Sequence, residues 1–452
     1  MRLTLLLLCS LAAFGQRTAL DRYVNTPDPA YRYQLISTAA AETATVYVLE
    51  MVSQRWLSTV EVDRPEWRHW LIITRPAQVK HSTALLYING GSNGGAAPRS
   101  PDPIMAAMAA ETGAVVADLR MVPNQPLTFA GGQGPFTEDA IIAYSWDRYL
   151  NTRDDKWPAR LPMVKATVRA MDTVSAFLAA LPDSPLKIER FILSGGSKRG
   201  WTAWSAAAVD RRVSAVMPVV IDTLNVETSF VHHYRAYGFW APAVHDYERF
   251  GVMNWFGRPE IRGLLGIEDP YEYRGRLALP KFIINSAGDQ FFLPDSSQFY
   301  WYDLDGEKYL RYVPNTDHGM DSLEAVTGVI AYVDAFLHCR PRPRFTWSTD
   351  RSQGVIQLNT LDPPDAVKLW RASNPNARDF RREIIGRAWT AEAVKGEDGV
   401  YTITVPEPAK GFTAFFLEMT YPSGGKYPFV FTTEVLVTPN RYPFPPPPGA
   451  KP

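Results

Sequence analysis

The chain has 452 residues, 46% of them hydrophobic, which is enough for more than one folded domain with a substantial core. Its 47 Lys and Arg residues balance 47 Asp and Glu residues, and this formal net charge of +0 argues against nucleic-acid binding through a basic surface. The His and Cys residues show no spacing typical of metal ligands, so neither a metal nor an organic cofactor is expected.

The first 15 residues are predicted to be a signal peptide. Arg2 precedes an apolar run that is too short to span a bilayer, and Ala13-Phe14-Gly15 resembles a small-x-small cleavage site. Cleavage removes Cys9 and leaves Cys339 unpaired, so no intrachain disulfide is expected. We predict an exported protein, periplasmic or secreted and best suited to a bacterial envelope, without a stable membrane span after cleavage. An uncleaved anchor is the alternative.

Strand and helix patterns occupy residues 26–339. Runs such as TVYVLEM at 45–51 and HWLIIT at 69–74 predict antiparallel strands at one edge of a sheet. From residue 83 onward strands and helices alternate, which is typical of a mostly parallel sheet covered on both faces. An α/β domain is therefore expected over 26–339.

A glycine-rich segment, NGGSNGG at 89–95, follows the predicted strand ALLYI at 84–88. Its backbone can approach a substrate closely, and Gly91 and Ser92 are the candidate contacts to a substrate or oxyanion. A phosphate-binding loop is one alternative, but its Gly-Lys-Ser/Thr ending is absent. A flexible turn is the other.

Ser197 lies in FILSGGSKRG at 191–200, where an apolar strand runs into a glycine-flanked serine and then a helix-like stretch. This is the layout of a nucleophile elbow, in which a tight strand-to-helix turn exposes the serine Oγ. The usual Gly-x-Ser-x-Gly pattern is offset, because Arg199 stands where glycine is expected and Gly200 follows one residue later. A serine in an ordinary strand-to-helix loop is the alternative.

Candidate partners follow this serine in the order found in α/β-hydrolases. Asp289 comes shortly after the apolar run LPKFIIN, and His318 lies in the loop after the predicted strand YLRYV. We predict that Ser197 is the nucleophile, Asp289 the acid and His318 the base. The backbone N–H of Lys198 is the predicted second oxyanion donor.

Other aspartates compete for the role of the acid. Asp222 ends the strand pattern at 213–221 and is the alternative acid, since some hydrolases take the acid from this position. Asp295 and Asp317 lie close to the predicted pair, and surface positions are the simpler interpretation for both.

The strand pattern stops between residues 223 and 278, and the segment is crowded with aromatic residues. An insertion here is predicted either to form a lid over the nucleophile or to pack on the sheet as a helical excursion. His232, His233 and His245 are expected to be structural or pocket-lining rather than metal ligands.

The C-terminal part, 343–438, consists of short alternating runs with turn signals, which predict a small β-sandwich. It is expected to contact a glycan or a protein, or to brace the preceding domain. The Pro-rich tail at 439–452 is predicted to be extended and mobile.

Several strings together resemble the PhoPQ-activated pathogenicity-related protein family, a group of exported α/β-hydrolase-like proteins. They are YINGGSN at 87–93, VPNQPL at 122–127, EDAIIAYSW at 138–146, RLPMVK at 160–165 and GGSKRGWTAW at 195–204. The resemblance implies that the order Ser-Lys-Arg-Gly belongs to the family. The elbow is also similar to that of glucuronoyl esterases, which implies that Lys198 assists an oxyanion or meets a substrate carboxylate.

These observations predict an α/β-hydrolase fold with a mostly parallel sheet, a lid insertion and a C-terminal β-sandwich. The predicted function is an exported serine hydrolase that cleaves an ester or amide of a small molecule or peptide. A dipeptidyl-type peptidase, with Asp246 and Glu248 holding the substrate amine, is one alternative. A secreted binding or signalling protein that does not use its site is the other.

Overall fold

The structure is a computed structural model that describes residues 17–131 and 134–449. The predicted signal peptide, residues 1–15, lies outside these described residues. In the two described ranges, no helix combines the length and the apolar character needed to cross a membrane.

A nine-stranded sheet forms the centre of the described chain. Its strands are β1 (Arg32–Ala40), β2 (Ala44–Arg55), β3 (Glu66–Pro76), β4 (Thr83–Ile88), β5 (Val116–Leu119), β6 (Arg190–Gly196), β7 (Val213–Val219), β8 (Lys281–Ser286) and β9 (Lys308–Val313). Their order in space is β1-β2-β3-β5-β4-β6-β7-β8-β9. The pairings from β1 through β3 to β5 are antiparallel, and β4 to β9 run parallel.

Ten α-helices flank the strands in the part of the chain that the structure describes. They are α1 (Ala19–Asn25), α2 (Pro103–Thr112), α3 (Asp139–Thr152), α4 (Arg160–Ala179), α5 (Lys198–Val209), α6 (Val226–Tyr237), α7 (His245–Arg249), α8 (Pro259–Glu268), α9 (Leu323–Leu337) and α10 (Arg382–Ile385). Strand β8 is buried at every position, as expected where helices cover both faces of a parallel sheet.

Side chains that alternate along each strand divide the core into two layers. Leu86 and Leu193 belong to the layer covered by α4 and α5, whereas Leu85 and Ile192 belong to the layer covered by α2 and α9. Together with the serine turn after β6, the strand order and this two-sided covering are those of an α/β-hydrolase, which confirms the predicted fold class.

The C-terminal part contains two antiparallel sheets, as predicted. Its strands are β10 (Phe345–Asp350), β11 (Val355–Thr360), β12 (Ala366–Asn374), β13 (Thr390–Ala393), β14 (Val400–Thr404), β15 (Phe412–Tyr421), β16 (Phe429–Thr432) and β17 (Leu436–Thr438). One sheet has the order β10-β11-β14, the other β13-β12-β15-β16, with β17 also paired to β15. The Phe431 ring stacks on Tyr309 of β9 at 4.2 Å, so this part shares a core with the central sheet.

The described part of the Pro-rich tail packs against helix α6, so the prediction of a mobile tail is wrong for these residues. The guanidinium of Arg235 lies 3.9 Å from the centre of the Tyr442 ring, and the Phe444 N–H donates to the Arg235 carbonyl at 3.2 Å. The tail has no regular secondary structure at these residues. It is held by the contact between the Arg235 cation and the Tyr442 ring and by one backbone hydrogen bond.

Candidate active site

Ser197 lies in a sharp turn between β6, which ends at Gly196, and α5, which begins at Lys198. Its backbone angles, φ 56° and ψ −129°, are unfavourable for a residue with a side chain and cost on the order of 1–3 kcal/mol. A Cβ at residue 200 would lie 2.6 Å from the Gly195 carbonyl oxygen, so the close approach of strand and helix requires glycine there. Packing therefore explains why the glycine of the motif stands at residue 200.

Asp289 and His318 form a direct pair. His318 Nδ1 lies 2.8 Å from Asp289 Oδ2 and 3.0 Å from Oδ1. The Asp289 side chain is 3% exposed and also accepts the backbone N–H of Phe291 at 2.7 Å, which fixes the carboxylate. The His318 side chain, 19% exposed, contacts the Phe291 ring with centroids 4.3 Å apart. One imidazole face is thus packed, and Nδ1 is held by the acid.

The other candidate acids have different partners. Asp222 is buried and accepts hydrogen bonds from the hydroxyls of Tyr300 and Tyr312, each at 2.6 Å. Burial raises the pKa of Asp222 to about 8, so this carboxyl is largely protonated at neutral pH.

Asp295 and Asp317 are bound elsewhere. Asp295 is not at the surface, contrary to the expectation for it, because it is buried between His232 Nε2 at 2.9 Å and Arg378 at 2.5 Å. Asp317 pairs with the Arg382 guanidinium at 3.0 Å. Of these aspartates, Asp289 is the one whose carboxylate contacts His318.

Ser197 and His318 line one cavity of about 450 Å³. Gly90 and Asn89 line it as well, whereas Gly91 and Ser92 are exposed and lie outside its lining. The glycine-rich loop therefore meets the cavity one residue earlier than predicted. A Cβ at residue 90 would lie 2.8 Å from the Arg199 guanidinium, so a side chain there would displace this arginine from its present position.

The Lys198 side chain is directed into a carboxylate pair and does not line the cavity. Its Nζ lies 2.9 Å from Glu138 Oε2 and 2.9 Å from Asp139 Oδ2, and only 7% of the side chain is exposed. The expectation that its ammonium meets a substrate carboxylate is therefore not supported by its position. The residue that lines the cavity is Arg199, which donates to Glu138 at 2.6 Å and to the Val122 carbonyl at 2.6 Å.

Glu138 is the site residue that the sequence alone did not reveal. It bonds both cations that follow the serine, and its backbone N–H donates to the Gln125 side chain at 2.7 Å. Burial by itself raises its pKa, but the charges of Lys198 and Arg199 bring the pKa of Glu138 to about 2. The only sequence signal for it is the string at 138–146 that carries the family resemblance.

The insertion between β7 and β8 contains α6, α7 and α8, and its rings pack on one another. Phe230 lies 5.8 Å from Phe256 and 6.1 Å from both Trp240 and Tyr247, measured between ring centres. None of the described residues that line the Ser197 cavity comes from 223–278. The aromatic residues therefore pack the insertion and do not form the wall of the cavity.

The histidines of the insertion have structural partners. His232 Nδ1 lies 2.8 Å from the Tyr442 hydroxyl, His233 Nε2 accepts the Ala241 N–H at 3.0 Å, and His245 lies 3.3 Å from Glu248 at the surface. Among residues 17–131 and 134–449, no group of three or more His, Cys, Asp or Glu side chains is placed to hold a metal ion.

Comparison with known proteins gives two sequence relationships. The model of the PhoPQ-activated pathogenicity-related protein family matches residues 20–381. Autocrine proliferation repressor protein A of Dictyostelium discoideum is 38% identical over 472 aligned residues, which cover 98% of this chain and 95% of that protein.

Solved structures show more distant likenesses. Acetyl xylan esterase 1 from Thermoanaerobacterium sp. JW/SL YS485 matches with a TM-score of 0.48 and 17% identity, covering 71% of this chain and 92% of the esterase. A glucuronoyl esterase from Solibacter usitatus matches with a TM-score of 0.41 and 14% identity, covering 66% and 86%. The strand order and the serine turn, rather than these distant likenesses, define the fold.

Proposed function

The chain belongs to the PhoPQ-activated pathogenicity-related protein family, and on that premise we propose that it is a serine hydrolase that cleaves an ester. In this proposal Ser197 is the nucleophile, His318 the general base and Asp289 the acid that orients it. Amide cleavage by the same residues is the less favoured form of the reaction.

The observation that carries the proposal is the Asp289–His318 pair, whose histidine lines the same cavity as a strained serine. His318 Nδ1 is 2.8 Å from Asp289 Oδ2, and Ser197 has a φ of 56°. A strained residue persists only where the surrounding fold enforces it, and such residues cluster at functional sites. A serine that served packing alone would need no such conformation.

The chemistry follows from these positions. Ser197 Oγ attacks the substrate carbonyl carbon while His318 Nε2 accepts the hydroxyl proton, and the carbonyl oxygen becomes an oxyanion. Collapse of this intermediate breaks the bond to the alcohol, which leaves with the proton from His318. A water molecule then gives a proton to His318 and attacks the acyl-serine; as this second intermediate collapses, the acyl–Oγ bond breaks, His318 returns the proton to Ser197 Oγ, and the carboxylic acid is released.

The oxyanion is stabilised by backbone N–H groups. Lys198 is the first residue of α5, where the N–H groups of a helix have no intrahelical acceptor and point out of its N-terminus. The second donor in this proposal is the Gly91 N–H, next to the cavity-lining Gly90, since the N–H groups of Asn89 and Gly90 already donate to the Leu119 carbonyl and to Asn89 Oδ1. Each such donor is worth on the order of 10²–10³ in rate.

A fluorophosphonate probe tests the proposal directly, because it reacts with activated serines. We expect labelling of the purified protein that is abolished in Ser197→Ala and strongly reduced in His318→Ala. Ser214→Ala is the matched control, since the Ser214 hydroxyl donates to the Phe191 carbonyl within the sheet and Ser214 does not line the cavity of Ser197. A folded wild-type protein that remains unlabelled contradicts the proposal.

Export is part of the proposal and is supported by the sequence of residues 1–15. A basic residue, an apolar run and a small-x-small site are the features read by the export machinery. Intact mass measurement of the protein from the culture medium or the periplasm tests it. Cleavage after Gly15 is expected, and a cytoplasmic protein that retains Met1 contradicts it.

A signalling role is the second candidate, and the name of the relative favours it. Autocrine proliferation repressor protein A is described as a repressor of proliferation, and it aligns over 98% of this chain. Addition of purified wild type and Ser197→Ala to growing cultures of the source cells separates the two roles. An equal effect of both proteins on growth rate assigns the signal to the folded surface and not to hydrolysis.

The dipeptidyl-peptidase alternative has less support. Asp246 and Glu248 do not line the cavity of Ser197, and Glu248 is occupied by His245 at the surface. A substrate amine held by these groups would not be next to the reacting serine.

A further inference from the structure

The cavity beside Ser197 extends beyond the reacting atoms into the layer between α2 and α9. Its volume of about 450 Å³ falls in the range of roughly 300–1,000 Å³ that small-molecule sites occupy. Protein cores contain few voids larger than a water molecule. A space of this size next to a candidate nucleophile is therefore large enough for a small-molecule ligand, and it is called the chamber below.

The walls of this chamber are mostly apolar. They include Leu85, Met105, Met108, Met217, Val326 and Val329. The sheet supplies Leu85 and Met217, which are 2% and 0% exposed, and α2 supplies Met108, which is 2% exposed. The chamber is thus shielded from water on the sheet side and on the α2 side.

Methionine is concentrated in these walls. Four of the protein's 11 methionines line the chamber: Met105, Met108, Met217 and Met320. The thioether side chain is flexible and polarizable, so it adapts to apolar ligands of varied shape. A wall of this kind suits an alkyl chain better than a rigid polar group.

Three of the polar side chains that line the chamber have partners within the protein, whereas the Tyr87 hydroxyl, which also lines it, has no hydrogen-bond partner among the described residues. Ser194 Oγ donates to the Met217 carbonyl at 2.7 Å. Asp102, which caps α2, accepts the Ile104 N–H at 2.8 Å, and Arg199 is paired with Glu138. A sugar-like or charged acyl group would lose its hydrogen bonds to water and find few replacements. An alkyl group loses none and gains contact area.

We infer that this chamber holds the acyl group of the ester, and that this group is an apolar chain longer than acetyl. At roughly 30 Å³ per heavy atom, a volume of about 450 Å³ accommodates about fifteen heavy atoms, enough for a medium-chain acyl group together with the ester atoms. The acid released is therefore a medium-chain aliphatic acid. This inference rests on the proposed serine hydrolase function, because Ser197 at the mouth is what makes the chamber an acyl site.

A series of p-nitrophenyl esters with acyl chains from acetyl to decanoyl tests the inference on the full chain. Each buried methylene is worth up to about fourfold in kcat/KM, so hexanoyl or octanoyl esters are expected to exceed the acetyl ester by at least about tenfold. If kcat/KM is highest for the acetyl ester while a fluorophosphonate still labels Ser197, the inference about the acyl chamber is wrong and the proposed hydrolase function stands.

Val329→Phe fills the chamber from α9 and is expected to lower the octanoyl-to-acetyl ratio of kcat/KM by at least about tenfold. Leu323→Phe is the matched control, because Leu323 lies on the same helix, is 79% exposed and does not line the chamber. Its ratio is expected to equal that of the wild type. An unchanged ratio in a folded Val329→Phe protein contradicts the inference.

Binding of a fatty acid to a variant that cannot turn over an ester tests the chamber independently of catalysis. In Ser197→Ala, sodium octanoate is expected to raise the melting temperature more than sodium acetate at equal concentration, since a ligand that binds the native state stabilises it. Equal shifts contradict the chamber. Octanoate binding together with failure of every ester and of probe labelling contradicts the proposed function instead.

Discussion

Glu138 and Ser197 precede two different helices with nearly the same unusual backbone angles, φ 50° and ψ −125° for Glu138 and φ 56° and ψ −129° for Ser197. The Glu138 carboxylate bonds Lys198 and Arg199, the two residues that follow Ser197. One strained turn therefore anchors the other through two ion pairs.

Glu138→Gln is expected to lower kcat about tenfold and to change KM less, because Glu138 does not itself line the cavity but holds Lys198 and Arg199, the two residues that follow Ser197. Since the pKa of Glu138 is about 2, the carboxylate is charged throughout an assay between pH 5 and 9, and the ratio of mutant to wild-type kcat is expected to be constant over that range. Steady-state kinetics across that range measure both quantities. Glu260→Gln is the control, since this 39% exposed residue pairs only loosely with Arg153 at 3.6 Å.

Asp289→Asn is expected to reduce kcat by about 10³–10⁴-fold, because an amide no longer holds the required tautomer of His318. Asp222→Asn is the matched comparison. Asp222 bonds two tyrosines and is largely protonated at neutral pH, so its amide variant is expected to retain activity within about tenfold. The reverse ranking of the two variants in kcat would assign the acid to Asp222.

Asp222 also makes a prediction about stability. Burial raises its pKa from 3.8 to about 8, so between these values the folded state binds more protons than the unfolded state. The free energy of unfolding contributed by this group is therefore largest below pH 4 and declines as the pH rises towards 8, by at most about 1.4 kcal/mol per pH unit.

In Asp222→Asn this decline is absent. Urea unfolding at pH 5, 6, 7 and 8 is expected to show that the variant gains stability relative to the wild type as the pH rises. Parallel pH profiles for the two proteins would mean that Asp222 is ionised in the native state.

Arg378 holds a buried charge. It pairs with Asp295 at 2.5 Å, and the two side chains are 4% and 1% exposed. Although burial alone raises it, Arg378 and His232 bring the pKa of Asp295 well below its usual range. Arg378→Gln leaves the carboxylate uncompensated and is expected to cost about 3–5 kcal/mol of unfolding free energy.

Arg344→Gln provides the matched surface pair, because Arg344 and Asp362 are 70% and 39% exposed. Exposed pairs are worth about 0–1 kcal/mol, so its unfolding midpoint in urea is expected to stay close to that of the wild type. Similar losses of unfolding free energy in the two variants would show that the buried pair contributes no more to stability than the exposed pair.

The local patterns of the sequence were sufficient for the fold and for the neighbourhood of the serine. An apolar strand, a glycine-flanked serine and a helix-like run are contiguous at 191–208, and the strand-helix alternation is a local signal as well. The fold class is confirmed because each of its elements is readable within a short window.

Contacts between distant segments were not readable in this way. Glu138 lies 60 residues before Lys198, and nothing local links a carboxylate in one loop to an ammonium in another. The tail was predicted to be mobile from its prolines, yet Tyr442 lies against His232, 210 positions away. Gly90 and not Gly91 lines the cavity, and Gly91 has a φ of 137°; such backbone geometry is not determined by the composition of the loop.

The stacking of Phe431 on Tyr309, and its edge contact with Phe282 at 5.3 Å, join the C-terminal sheets to the central sheet through one continuous core. Unfolding of either part would expose its side of that shared core to water, so the two parts are expected to unfold cooperatively. A truncation near residue 340 is expected to expose apolar surface of this shared core on the remaining part and to yield an aggregating fragment.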